Sequence, residues 1–128
     1  ADYTGYLRYD GANDPRGGGH FSGRLTAPLC FAGAVCAQIL EHRGITVGAH
    51  IKSIKNITDE SFDPVNITEM QLNAVKKRSF PVISDTAEEK MRELINAARE
   101  NLDSVGGVIE CAAVGFPAGI GSPMLDGL

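Results

Sequence analysis

A glycine-rich run from Pro15 to Ser22 carries the residues best suited to chemistry in this chain. It reads Pro-Arg-Gly-Gly-Gly-His-Phe-Ser, and basic side chains stand in it or just beyond it at Arg16, His20 and Arg24. Successive glycines let the backbone approach another group closely, because no Cβ stands in the way. Such a run before a helix, with cations beside it, is typical of an anion cradle. A purely structural glycine-rich turn is the alternative.

The residues after this run predict a helix from Ala27 to His42, because apolar side chains recur there at intervals of three and four. Thr26 is a suitable N-cap and Gly44 a suitable stop. The opposite face carries small residues instead of charges, so we expect this helix to be covered on both sides as an inner layer. Those small residues are Gly33, Ala34 and Ala37.

Two strands are predicted around the remaining chemistry-bearing residues. Ile45 to Ile54 alternates as a half-buried strand does, with Ile45, Val47, Ala49 and Ile51 expected inward and Thr46, Gly48, His50 and Lys52 outward. His50 is expected to be a solvated or hydrogen-bonded strand histidine and not a site residue. Val108 to Val114 is nearly all apolar, which favours a central strand. If its one charge, Glu110, is buried, a structural ion pair is expected before a catalytic role.

Capping patterns predict two further helices. A short one is capped by Asn66 or Thr68, each followed three residues later by Glu or Gln. A longer amphipathic one, near Thr86 to Asp103, begins at a second capping box formed by Asp85 and Glu88. The outer face of this longer helix is charged, which places it on a surface.

Composition limits the class of protein. The net charge is −4 with no long block of like charge, which argues against general nucleic-acid affinity. No apolar run approaches the ~18 residues that span a membrane, so we expect a cytoplasmic protein with no membrane partner. Cys30, Cys36 and Cys111 lie in apolar surroundings and are expected to be small buried thiols. The histidines show no ligand spacing, so no metal site is predicted.

Three stretches together resemble the chorismate synthase family in order and separation: Ala1 to Thr4, Arg16 to Arg24, and Gly119 to Asp126. The resemblance spans the whole chain but only an interior part of the family's length. We therefore interpret residues 1–128 as a single partial domain, an interior fragment. The segment Ala1 to Leu7 is expected to have no capped start of its own.

The resemblance implies a fold and an activity. The implied fold class is α/β (α+β), with helices packed between or against sheets as part of the family's β-α-β sandwich. The implied activity is that of a lyase in aromatic amino acid biosynthesis. It converts 5-enolpyruvylshikimate 3-phosphate into chorismate and phosphate by an anti-1,4 elimination that needs reduced FMN. A homotetramer is also implied.

Carried over by position, His20, Phe21 and Ser22 fall where the family's Arg-Ser-Ser contacts the flavin, and Arg24 falls on the arginine that contacts the substrate. Only Ser22 and Arg24 match the family in type. A histidine keeps a donor but titrates near neutral pH, and a phenylalanine offers a ring in place of a hydroxyl. The alternative for Arg24 is a structural pair with an acid such as Asp2 or Asp14.

No residue of this chain is predicted to be catalytic. The resemblance places one active-site histidine of the family immediately before Ala1 and the other in an earlier segment, so both lie outside the chain. The chain alone is therefore expected to be inactive and to bind FMN weakly or not at all. The alternative function is a non-enzymatic α/β module that self-associates through exposed apolar surface.

Overall fold

The computed structural model of the protein describes residues 2–120, which form helices and an antiparallel sheet. The helices are α1 (Tyr3–Arg8), α2 (Thr26–Glu41), α3 (Glu69–Lys76) and α4 (Asp85–Glu100). The strands are β1 (Thr46–Ile54), β2 (Ile57–Thr58) and β3 (Gly107–Val114). The predicted α+β class is confirmed. The chain falls into two compact units, Ala1–Ile39 and Leu40–Leu128.

Unit Ala1–Ile39 begins with a capped helix. The Asp2 carboxylate accepts a hydrogen bond from the N–H of Gly5 at 3.0 Å, which makes Asp2 the N-cap of α1. The expectation that this segment has no capped start was wrong. After a turn-rich connection, short 3₁₀ turns at Gly19–Phe21 and Gly23–Leu25 lead into α2, which begins at Thr26.

Helix α2 matches its predicted position but not its predicted burial. None of its 16 residues is buried within this chain, so the expected inner layer is not observed here. The segment Gly23–Glu41 also has the length and composition to cross a membrane, with a mean hydropathy of 1.3 over 18 residues. The expectation that no run approaches that length was therefore wrong. An apolar core helix of a water-soluble protein has the same length and composition, so this property alone does not indicate a membrane.

The sheet in unit Leu40–Leu128 has the order β2-β1-β3, with antiparallel neighbours. Within residues 2–120 this places β1 in the middle and β3 at an edge, so the prediction of a central strand for residues 108–114 was wrong. The register sets His50 directly opposite Glu110. Side chains at such opposed positions lie within reach of each other.

The buried face of β1 is the one that the alternation predicted to be outward. Thr46, Gly48 and His50 are buried, whereas Ala49 is exposed. The reason is α3, which packs across this face: a Cβ added to Gly48 would lie 3.0 Å from the Leu72 Cβ. Glycine permits this close approach, and the buried histidine finds polar partners, so the polar face becomes the packed one.

Two apolar clusters hold the helices on the sheet. The first joins α4 to the end of β1 and is made of Ile54, Val82, Ala87 and Met91. The second joins α3 to the sheet and is made of Phe62, Leu72 and Val75. Helix α3 carries the predicted capping box, formed by Thr68 and Gln71.

Helix α4 begins differently from the prediction. Its N-cap is Ser84, whose side chain makes no capping hydrogen bond. The carboxylates of Asp85 and Glu88 instead accept hydrogen bonds from Arg78, at 2.5 and 2.9 Å. The predicted capping box at this helix was therefore wrong, because a guanidinium competes for both carboxylates.

The cysteines are exposed and not buried. Cys30 and Cys36 belong to α2, none of whose residues is buried, and Cys111 lies on edge strand β3. The prediction of buried thiols was wrong because it took apolar neighbours in the sequence as a sign of burial.

Candidate functional site

The glycine-rich run forms one side of a hollow of about 300 Å³ within unit Ala1–Ile39. The hollow is lined by Gly17, Gly18, Gly19, His20 and Phe21 together with Tyr9, which ends α1. Asp2 and residues 12–14 complete the lining. The structure thus brings two of the predicted flavin contacts, His20 and Phe21, to one cavity.

An ion pair fixes the entry to the glycine run. Arg16 donates from Nε and Nη2 to the carboxylate of Asp14, at 2.9 and 2.6 Å, and its backbone N–H donates to the same carboxylate at 3.0 Å. These hydrogen bonds lower the pKa of Asp14 and raise the pKa of Arg16. The positive charge of the Arg16 guanidinium is therefore already paired with the Asp14 carboxylate.

The backbone of the run leaves amide donors available. In the part of the chain that the structure describes, the N–H groups of Gly17 and Gly18 donate to no backbone oxygen. The carbonyl oxygens of Gly18 and Gly19 accept from Phe21 and Ser22, at 3.0 and 3.2 Å, and Gly19 has a φ of +53°. Unpaired amides in a turn of this kind suit an anion.

Three aromatic rings pack beside these amides. The rings of His20 and Phe21 lie 4.3 Å apart, and the ring of Tyr9 meets both edge-on, at 6.0 and 6.2 Å. The Tyr9 hydroxyl also lies 3.2 Å from Nε2 of His20. Aromatic edges and faces beside free amides suit a ligand that is both planar and anionic.

The other two predicted site residues lie outside the hollow. The Ser22 hydroxyl accepts a hydrogen bond from the backbone N–H of Arg24 at 3.3 Å and so caps the turn Gly23–Leu25. Within residues 2–120 no carboxylate lies within 4.0 Å of the exposed Arg24 guanidinium. Asp14 is bound to Arg16 and Asp2 caps α1, so the alternative of a pair with either acid is not observed.

A second polar cluster lies in unit Leu40–Leu128 and is centred on His50. Its ring Nδ1 lies 3.1 Å from the Asp59 carboxylate and its Nε2 lies 2.8 Å from the Glu110 carboxylate. The His50 side chain has no exposed surface and packs against the ring of Phe62. It cannot reach a ligand, which supports the hydrogen-bonded structural role predicted for it and the ion pair predicted for Glu110.

Both carboxylates of this cluster are held in the ionised form. Burial alone raises the pKa of Asp59, but hydrogen bonds from backbone N–H groups, including those of Ile83 and Ser84, and from His50 together lower it. The hydrogen bond from His50 lowers the pKa of Glu110, and the N–H of Phe62 adds to this effect. Each ring nitrogen of His50 therefore faces an ionised carboxylate oxygen.

Tyr9 and Asp59 were missed by the sequence reasoning. Tyr9 lies 11 residues before His20, and only the fold of the intervening turn brings the two together. Asp59 follows β2 in what reads as a polar loop, and no spacing pattern connects it with His50. The opposed positions of His50 and Glu110 follow from the register, which alternation alone does not fix.

Taken together, the backbone amides and aromatic rings at the hollow have the chemistry that suits a planar anion. A sequence model of the chorismate synthase family matches residues 1–128, so the chain belongs to the chorismate synthase family. This confirms the resemblance. Its third stretch, Gly119 to Asp126, falls largely outside the described residues.

Similar curated proteins carry the same description. A chorismate synthase of Lancefieldella parvula is 40% identical, with 100% of this chain and 36% of the relative covered. A chorismate synthase of Aeropyrum pernix is 40% identical over 100% of this chain and 33% of its own length, and one of Pyrococcus abyssi is 43% identical over 96% and 33%. The chain therefore spans about a third of the length of the curated relatives it matches.

Proposed function

We propose that the full-length protein containing this chain is a chorismate synthase. It eliminates phosphate from 5-enolpyruvylshikimate 3-phosphate to give chorismate, acts in the cytoplasm and assembles as a homotetramer. The observation that carries the proposal is the family match across all 128 residues, which includes the glycine run and the hollow that it lines.

The donor set at the hollow fits FMN. The amides of Gly17 and Gly18 donate to no backbone oxygen among the described residues, and the rings of His20 and Phe21 offer a flat apolar surface next to them. A flavin is both planar and anionic, so it uses both kinds of contact. We assign His20 and Phe21, which line the hollow, as flavin contacts of this chain, and the family resemblance adds Ser22, which lies outside the hollow.

Reduced FMN, when bound, supplies the electron-rich partner on which the elimination depends, although the reaction has no net redox change. The chain's own residues bind and orient the anions. As the C–O bond breaks, the departing phosphate gains charge, and a guanidinium such as that of Arg24 would stabilise that charge in a site from which water is excluded.

Arg24 is the proposed substrate contact. Its guanidinium is exposed and, within residues 2–120, has no carboxylate within 4.0 Å, unlike that of Arg16. A guanidinium fork binds two oxygens of a phosphate or carboxylate at once. The backbone of Arg24 is held by the Ser22 hydroxyl, which fixes where the side chain starts.

The chain alone is proposed to be inactive and to hold FMN weakly or not at all. The family resemblance places its two active-site histidines outside residues 1–128, and the buried ring of His50 cannot replace them. General acid help is typically worth about 10²–10⁴-fold in rate. One wall of a site does not enclose a cofactor.

The test compares Arg24→Ala with Arg43→Ala, an exposed arginine with no ion-pair partner within residues 2–120. In the full-length protein, supplied anaerobically with reduced FMN, chorismate absorbance is followed against substrate concentration. Arg24→Ala is expected to raise KM about 10- to 100-fold while FMN affinity changes less than about 3-fold. Arg43→Ala is expected to change neither.

Equal losses of substrate and flavin binding would contradict the role assigned to Arg24. The same assay separates the enzyme from the alternative, a module that self-associates through the exposed apolar residues of α2. Such a module would give no chorismate even at full length.

A further inference from the structure

Helix α1 and the residue that ends it, Tyr9, pack against the two proposed aromatic flavin contacts, His20 and Phe21. A Cβ added to Gly5 would lie 3.2 Å from the Phe21 ring, so the helix approaches that ring closely at this glycine. One turn later, Tyr9 meets the rings of His20 and Phe21 edge-on, at interplanar angles of 71° and 70°. Tyr9 therefore touches both proposed flavin contacts while belonging to a different element.

The hydrogen bond between Tyr9 and His20 has a preferred direction. A neutral imidazole has one N–H donor and one acceptor nitrogen, and a phenol hydroxyl can donate or accept. A phenol is a much stronger acid than a neutral imidazole N–H, so the favoured arrangement has the Tyr9 hydroxyl donating to Nε2 of His20. The ring proton of a neutral His20 then resides on Nδ1.

The other charged groups around the hollow leave this arrangement undisturbed. Asp14 is bound to Arg16, and Asp2 accepts from the N–H of Gly5. In residues 2–120 the Tyr9 hydroxyl is the one side-chain hydrogen-bond partner of His20, and Nδ1 has none. Nδ1 is therefore the nitrogen that remains for a ligand.

We propose that Tyr9 is a positioning residue that holds neutral His20 in the Nδ1–H tautomer, so that His20 offers FMN a hydrogen-bond donor in both protonation states. This inference rests on the proposed function for the identity of the ligand. In the charged ring both nitrogens carry protons, and the Tyr9 hydroxyl accepts from Nε2 instead. The Tyr9 hydroxyl can thus hydrogen-bond to Nε2 in both the neutral and the charged form of His20 without a change of geometry. In both forms His20 keeps an N–H donor at Nδ1, where the family's arginine supplies a donor.

The first test measures FMN affinity of the full-length protein by calorimetry at about pH 8 and about pH 5.5, where an ordinary histidine is neutral and charged respectively. Tyr9→Phe keeps the ring and removes the hydroxyl. It is expected to weaken FMN binding about 5-fold at the higher pH and less than about 2-fold at the lower pH. Tyr3→Phe, at an exposed tyrosine of the same helix, is expected to change neither value.

His20→Asn provides the rescue. An asparagine amide places a fixed N–H donor near the position of Nδ1, and this donor does not need Tyr9. Tyr9→Phe in the His20→Asn background is therefore expected to change FMN affinity less than about 2-fold at either pH. An equal loss at both pH values, or the same loss in both backgrounds, would overturn the proposal and assign Tyr9 to packing alone.

A second readout needs no flavin. Magic-angle-spinning ¹⁵N NMR of the flavin-free full-length protein, labelled only at histidine and assigned with His20→Asn, reports which ring nitrogen is protonated. We expect Nδ1–H in the unmodified protein and Nε2–H in Tyr9→Phe. Nε2–H in the unmodified protein would overturn the tautomer. Nδ1–H without any FMN binding would support the tautomer and overturn the proposed function.

Discussion

His20 and His50 are the same residue type in opposite situations. His20 is exposed, stands in a glycine turn and has one hydrogen-bond partner, the Tyr9 hydroxyl, among the side chains of residues 2–120. His50 has no exposed side-chain surface, and an ionised carboxylate faces each of its ring nitrogens. His20 therefore has a ring nitrogen open to a ligand, whereas both ring nitrogens of His50 already have a carboxylate partner.

The difference shows why residue type alone does not locate a site. A buried polar group must be hydrogen-bonded within the protein, so a satisfied histidine contributes to the fold. An exposed one with an open nitrogen costs the fold little and can serve a ligand. The two histidines therefore predict opposite responses to substitution, one in stability and one in binding.

The largest expected effect is on stability, from His50→Ala. Removing the ring leaves the carboxylates of Asp59 and Glu110 without their shared partner and opens a gap beside Phe62. Breaking a buried charged network in this way costs about 3–5 kcal/mol of unfolding free energy. Urea denaturation of the chain measures the loss. His20→Ala is the matched control, and a comparable loss of unfolding free energy in that variant would contradict the contrast between a structural His50 and an open His20.

The next effect tests packing at a glycine of each unit. In Gly48→Ala the new Cβ meets the Leu72 Cβ and Cδ2, each at 3.0 Å, and the overpacked contact is expected to cost about 1–3 kcal/mol. In Gly33→Ala, inside α2, the new Cβ has no atom within 4 Å, and the higher helix propensity of alanine is expected to add about 0.5–1 kcal/mol. The same denaturation curves measure both, and changes of equal sign would contradict the packing described for β1.

Local structure could be predicted from the sequence where a local rule decides it. The positions of α2, α4, β1 and β3 follow from periodicity, and the capping box of α3 follows from the spacing of Thr68 and Gln71. The site residues at the loop came from the family resemblance, because a glycine run alone is also typical of a plain turn.

Burial could not be predicted where a partner from elsewhere decides it. The outward assignment of Gly48 and His50 was wrong because α3, distant in sequence from β1, packs on that face, and because Asp59 and Glu110 supply hydrogen-bond partners for the His50 ring. Likewise, the Asp85 carboxylate accepts a hydrogen bond from Arg78 and does not cap α4 as predicted. Each of these outcomes depends on a tertiary contact that hydrophobic periodicity does not encode.

The smallest expected effect concerns acid pH and the Glu110 carboxylate. Its pKa in the folded chain lies below its ordinary value of 4.5, chiefly because His50 donates to it. Above 4.5 the carboxylate is ionised in both states and its stabilisation is complete. As the pH falls below that value the unfolded chain takes up the proton first, so this stabilisation is lost progressively until the folded carboxylate also titrates.

Glu110→Gln removes this titration and keeps an oxygen that accepts from the N–H of Phe62. The variant is expected to be less stable than the unmodified chain at pH 7, and the difference between the two is expected to shrink as the pH falls below the ordinary glutamate pKa of 4.5. Urea denaturation across this range measures it, with the exposed Glu89→Gln as the control that leaves the pH profile unchanged. A constant difference from pH 7 to pH 3 would mean that the charge of Glu110 does not stabilise His50, and the contrast between the two histidines would then rest on burial alone.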